Sequence, residues 1–143
     1  MLALRKGTWA NSARILVLDD DPKFGGLVAA LAAREGLSVE IYPSLADLGG
    51  LSRLREFDIV VVGYCPGSLN WRELSQFMDV FCRHGVDVVL ISPHLAHELF
   101  EHSWGASWTS CIQRFVNKNQ GVDVIFGAVR DVLRVRGFEA HAL

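Results

Sequence analysis

No stretch of this sequence approaches the roughly 20 consecutive apolar residues that a bilayer-crossing helix needs. Met1 to Ala10 carries Arg5 and Lys6 and lacks the unbroken apolar run of a signal peptide, so a cytoplasmic protein is expected. Cysteine is scarce: the three present, Cys65, Cys82 and Cys111, are odd in number and far apart, and none forms a CxxC pair. With each in or near an apolar segment, buried free thiols in a reducing compartment are expected. Charge of one sign is also lacking; a formal net charge of −2 gives no electrostatic reason to expect direct nucleic-acid contact. There is neither a GxGxxG turn nor a GxxxxGK[ST] loop, and no persuasive Ser-His-Asp order. Repeats, linkers and low-complexity segments are likewise missing. The 143 residues, half of them hydrophobic, suit one compact domain spanning 13–137, with an arm at 1–12 and a tail at 138–143.

What is present is an alternation of short aliphatic runs and amphipathic stretches. Ile15-Leu16-Val17-Leu18 is too short for a core helix and reads as a strand buried on both faces. It stops at Asp19-Asp20-Asp21-Pro22, where the proline suits the first turn of a helix and Asp21 suits its cap. Phe24, Leu27, Val28 and Leu31 mark that helix, and Gly36 ends it. Leu37 to Tyr42 alternates as an edge strand does, and Leu45, Leu48, Leu51 and Leu54 suggest a helix weakened by Gly49-Gly50. Phe57 to Val62 is the most β-prone strand, ending at Gly63. Trp71, Leu74, Phe77, Met78 and Phe81 give the strongest helical period, read as core, and Val86 to Ile91 is a fourth strand closed by Ser92-Pro93. A short helix with Leu95, Leu99 and Phe100 follows; there His94 and His97 read as exposed or capping. Trp108 to Ile112 suits a fifth, edge strand, Phe115 to Gly121 a polar connection, and Val122 to Leu133 a last amphipathic helix. Strand and helix alternating with short connections imply an α/β sandwich around a parallel sheet.

Three strand ends then meet at the carboxyl edge of that sheet, where open α/β folds keep their ligand crevice: Asp19-Asp20-Asp21, Gly63 and Ser92. In this order and spacing the sequence resembles the receiver domain of two-component response regulators, from about Arg14 to Leu133. The resemblance rests on the strand into Asp19-Asp20, on Phe57 to Val62, on Val89-Leu90-Ile91-Ser92 and on Gly105-Ala106. It implies a five-stranded parallel sheet in the flavodoxin-like order 2-1-3-4-5 with helices on both faces, and a role in signal transduction or transcriptional regulation. It also implies an acidic pair for Mg²⁺, a phosphorylated aspartate after the third strand, a hydroxyl after the fourth and a lysine after the fifth.

Matched position by position, Asp19 and Asp20 fall on the metal-binding acids and Ser92 on the hydroxyl, but the phosphoacceptor falls on Gly63. Counting from Gly105-Ala106, the lysine falls on Ile112; Lys118 lies further along and is not assigned the role. Gly63, Ser92 and Ile112 thus form a degenerate phosphorylation site. Asp58 sits at the other end of its strand, roughly 16 Å away. No cofactor is required, no catalytic residue is assigned, and Asp19 and Asp20 offer at most a weak Mg²⁺ site whose like charges have no lysine partner. The expected activity is phosphorylation-independent contact with a protein partner or a second copy. The surface expected for it is the fourth helix, fifth strand and fifth helix, with Phe100, Trp104, Trp108, Ile125 and Val129 as interface residues. A downstream output domain is a further expectation. The alternative is a small ligand-binding module or enzyme using the crevice above Gly63.

Overall fold

The computed structural model describes residues 13–19, 21–49, 51–63, 71–92, 112–135 and 137. Five strands, β1 (Arg14–Leu18), β2 (Ser38–Tyr42), β3 (Ile59–Gly63), β4 (Asp87–Ser92) and β5 (Ile112–Asn117), form one sheet in the order β2-β1-β3-β4-β5. All four neighbouring pairs are parallel. Helices α1 (Pro22–Arg34), α2 (Trp71–Arg83) and α3 (Val122–Val135) cover it. The doubly wound α/β architecture and strand order agree with the sequence reading.

The aliphatic runs are continuous because the central strands are buried on both faces. Ile15, Val17, Ile59, Val61, Val89 and Ile91 point into one core with Phe24 and Val28 of α1 and with Ile125, Phe126 and Val129 of α3. Leu16, Leu18, Val60, Val62, Val88 and Leu90 point into the other, with Met78 and Phe81 of α2 and with Leu48 and Leu54. Ile125 and Val129 are therefore core residues, 1% and 0% exposed, which corrects their assignment to an interface. Among the described residues no helix is long and apolar enough to cross a membrane.

The helix expected after β2 is instead two 3₁₀ turns, Leu45–Leu48 and Leu51–Glu56, with Gly49 left-handed at φ 92° between them. Leu48 and Leu54 still reach the core, so the leucine spacing delivered burial without delivering a helix.

The fifth strand is also corrected. It runs over Ile112–Asn117, not over Trp108–Ile112, and its ladder with β4 skips Gln113, since Val88 faces Ile112 while Val89 faces Arg114. That bulge breaks the period-2 pattern, and Gln113 and Arg114 are polar because β5 is an edge strand open to water. Cys82, in the last turn of α2, is disulfide-bonded rather than a free thiol. Cys65, Cys111, His94, His97, Phe100, Trp104, Trp108, the arm 1–12 and the tail 138–143 lie outside the described residues.

Candidate functional site at the carboxyl edge of the sheet

Leu18 pairs with Val62 in the β1–β3 ladder, so the residue after each, Asp19 and Gly63, come side by side at the carboxyl edge. Asp19 is the one charged side chain buried among the described residues, 3% exposed. Its backbone N–H donates to the Tyr42 carbonyl at 3.2 Å, and its Oδ1 accepts from the Asp21 N–H at 2.9 Å. Asp21 in turn caps α1, its Oδ1 accepting from the Lys23 N–H at 3.0 Å. That cap was legible in the Asp-Pro step.

The Asp19 carboxylate lies over Gly63. A Cβ added at position 63 would sit 2.6 Å from Asp19 Cγ and closer still to Oδ2. Real Cβ atoms do not approach so near, so the space where any side chain at 63 would begin is already filled by the neighbouring carboxylate. Gly63 thus permits a close approach of two strand ends, which is a steric use of glycine.

The cation that meets this carboxylate is Lys118. Its Nζ donates to Asp19 Oδ2 at 3.1 Å and lies 3.8 Å from Asp21 Oδ2 and 5.0 Å from the centroid of the Phe24 ring. The placement is built locally. Asn117 Oδ1 accepts from the Asn119 N–H at 2.8 Å while the Asn117 N–H donates to Gln120 Oε1 at 3.1 Å, a reciprocal cap that fixes the 3₁₀ turn Lys118–Gln120 directly after β5. Ile112, expected at the lysine position, opens β5 at the far end, roughly 17 Å away. The lysine after the fifth strand is Lys118, and the carboxylates do have a lysine partner.

Locating β5 too early turned its second half into a loop, although the Asn117 to Gln120 capping spacing and the aliphatic Val116 before it signalled a strand end there. Ser92 closes β4 opposite Asn117, which places it at the same edge. Asp58 is at the opposite edge, where its Oδ2 accepts from the Arg14 N–H at 2.9 Å. Asp20 lies outside the described residues, and among those described no three His, Cys, Asp or Glu side chains converge to hold a metal ion.

No protein-family model and no curated protein matches the sequence. Solved structures do match the fold. A response regulator from Thermotoga maritima superposes with a TM-score of 0.68 at 14% identity, over 86% of this chain and 98% of its own. A response regulator receiver domain protein (CheY-like) from Methanospirillum hungatei gives 0.63 at 17%, over 87% and 95%. The fold is that of a receiver domain. An orphan response regulator of H. pylori aligns over 91% of this chain and 100% of its own, with a TM-score of 0.67 at 18% identity. What this chain is shown to share with these proteins is the path of the backbone.

Proposed function

We propose that this chain is a receiver-fold signalling module that works by protein–protein contact and accepts no phosphoryl group. The observation that carries the reading is the Asp19 carboxylate seated over Gly63 with Lys118 upon it. Phosphoryl transfer depends on a nucleophilic oxygen held in line and on cations free to bind the equatorial oxygens. Gly63 offers no such oxygen. Asp19 is buried and turned into an ion pair, and Lys118 is engaged by carboxylates of its own chain. A ligand entering the crevice above Gly63 would have to displace that carboxylate, which disfavours a small-molecule site there. The module is accordingly not an enzyme and needs no cofactor.

Contact with a partner protein or a second copy is assigned to the side of the molecule formed by β5 and α3. Val124 and Val135 of α3 are exposed there, 47% and 82%, and Arg114 of β5 joins Asp131 of α3 at 3.5 Å. Apolar side chains rimmed by ion pairs are the usual composition of such a surface.

Incubation with acetyl phosphate and Mg²⁺, followed by intact-mass analysis, tests the reading. No adduct is expected. A stoichiometric gain of about 80 Da would overturn it and identify an aspartyl acceptor elsewhere on the edge.

A further inference from the structure

The receiver fold implies a divalent cation at this edge, and the residues described there do not fit one. Mg²⁺ demands near-octahedral oxygen ligands at about 2.0–2.1 Å; it keeps several waters but needs one or two carboxylates free to bind it. Here Gly63 supplies no side-chain oxygen. The two Asp19 oxygens are engaged by the Asp21 N–H and by Lys118 Nζ, and Asp21 Oδ1 is engaged by the Lys23 N–H. Among the described carboxylates of this edge only Asp21 Oδ2 lacks a contact this short, and the same ammonium stands 3.8 Å from it.

We propose that Lys118 is the resident cation of this sheet edge: its ammonium replaces the divalent ion and keeps Mg²⁺ out. Three features hold it there. The Asn117–Gln120 cap fixes its backbone, the Phe24 ring lies under Nζ, and the glycine at 63 lets Asp19 swing into the place that a ligand side chain would take. A metal ion bound to the buried Asp19 carboxylate would sit within a few ångströms of the Lys118 ammonium, and like charges at that distance repel. The consequence is a module whose stability and shape at this edge are independent of Mg²⁺. The inference deepens the function proposed above and rests on its reading of the edge as closed.

The test is thermal melting and calorimetric titration of the full chain with MgCl₂, at matched ionic strength and without any phosphodonor. The wild-type melting temperature is expected to be the same in EDTA and in about 10 mM Mg²⁺. Lys118→Met removes the charge and keeps the length, and is expected to melt lower in EDTA and to gain about 3–8 °C in Mg²⁺ as the freed carboxylates bind the ion. A wild-type shift of that size would overturn the proposal, and so would a Lys118→Met protein indifferent to Mg²⁺. If Lys118→Met does not fold in EDTA, Lys118→Gln is measured in the same way. Failure of both to fold even in Mg²⁺ would make the lysine a structural strut and also refute the proposal. A phosphoryl adduct on the wild type overturns the proposed function, whereas Mg²⁺ binding without an adduct overturns this inference and leaves that function standing.

Discussion

Gly63 shows how one position can decide what a sheet edge does. Its lack of a side chain makes room for the Asp19 carboxylate, so the bare position and the seated carboxylate are one arrangement seen from adjacent strands. A methyl group at 63 must push Asp19 off Lys118 or bend β1 away from β3. Gly63→Ala is therefore expected to destabilise the protein by about 1–3 kcal/mol, the usual range for overpacking a filled site. In the double variant with Asp19→Ala only the milder 3.2 Å approach to the Cβ of residue 19 remains, so the two effects should be strongly non-additive in chemical denaturation. Additive losses would mean that the two residues do not meet. Three of the four residues that make this site were legible from sequence. Asp19, Asp21 and Gly63 sit at strand ends marked by an abrupt change from aliphatic to polar, which no other feature imitates. Lys118 was missed because its position depends on where β5 ends, and an edge strand carrying a bulge has neither an unbroken aliphatic run nor a clean alternation to mark it.

At the scale of elements, the segment between β2 and β3 holds its place with charge where other crossovers use a full helix. Glu40 of β2 accepts from Arg53 at 2.8 Å through Oε1 and from Arg14 at 2.7 Å through Oε2. Glu56 accepts from the same two guanidinium groups at 3.2 and 3.3 Å, closing a four-membered ring of alternating charge. Arg53 also donates to the Tyr42 hydroxyl at 2.9 Å and to the Leu48 carbonyl at 3.0 Å, tying the second 3₁₀ turn to the first and to the edge strand. The leucine spacing announced a buried face here but could not announce the 3₁₀ geometry. That follows from Gly49 in the left-handed region and from these side chains capturing groups that a helix would have used. The hydrogen bond from Arg53, then that from Tyr42, lowers the Glu40 carboxyl below its ordinary value of 4.5, with the charges of Arg53 and Arg14 adding to the effect. A carboxylate depressed in the folded state contributes stability that is present above its unfolded value and lost as pH falls through the folded one. Arg53→Ala should thus melt below wild type at neutral pH, with the gap closing as the pH drops through and below 4.5. A gap that stays constant down to pH 3 would show that Arg53 stabilises by packing on the Tyr42 ring, 5.9 Å away, instead of by its charge.

For the whole molecule, the layers of the sandwich were readable because both faces of the central strands are buried, which leaves uninterrupted Val, Ile and Leu runs such as Ile59 to Val62. What sequence periodicity could not do was separate residues of α3 that face the sheet from residues that face water. Its helix carries apolar side chains around more than half its circumference, and only the docked geometry sorts them. Ile125 and Val129 turn inward against Ile91 and Val116, in the same core, while Val124 and Val135 turn outward on the β5 side. Two classes of substitution should then separate cleanly. Ile125→Ala leaves a cavity in the core and is expected to cost about 2–5 kcal/mol in denaturation, with any loss of association following from unfolding alone. Val124→Asp places a negative charge near the helix N-terminus and Val135→Lys a positive charge near its C-terminus, so both suit the helix dipole and should leave the melting temperature nearly unchanged. If β5 and α3 form the contact between copies, those two outward changes together should weaken self-association at least about tenfold, a change of about 1.4 kcal/mol, in concentration-dependent light scattering. Association that survives both substitutions would move the contact to another side of the sandwich, because a contact made here is expected to cover the exposed Val124 and Val135.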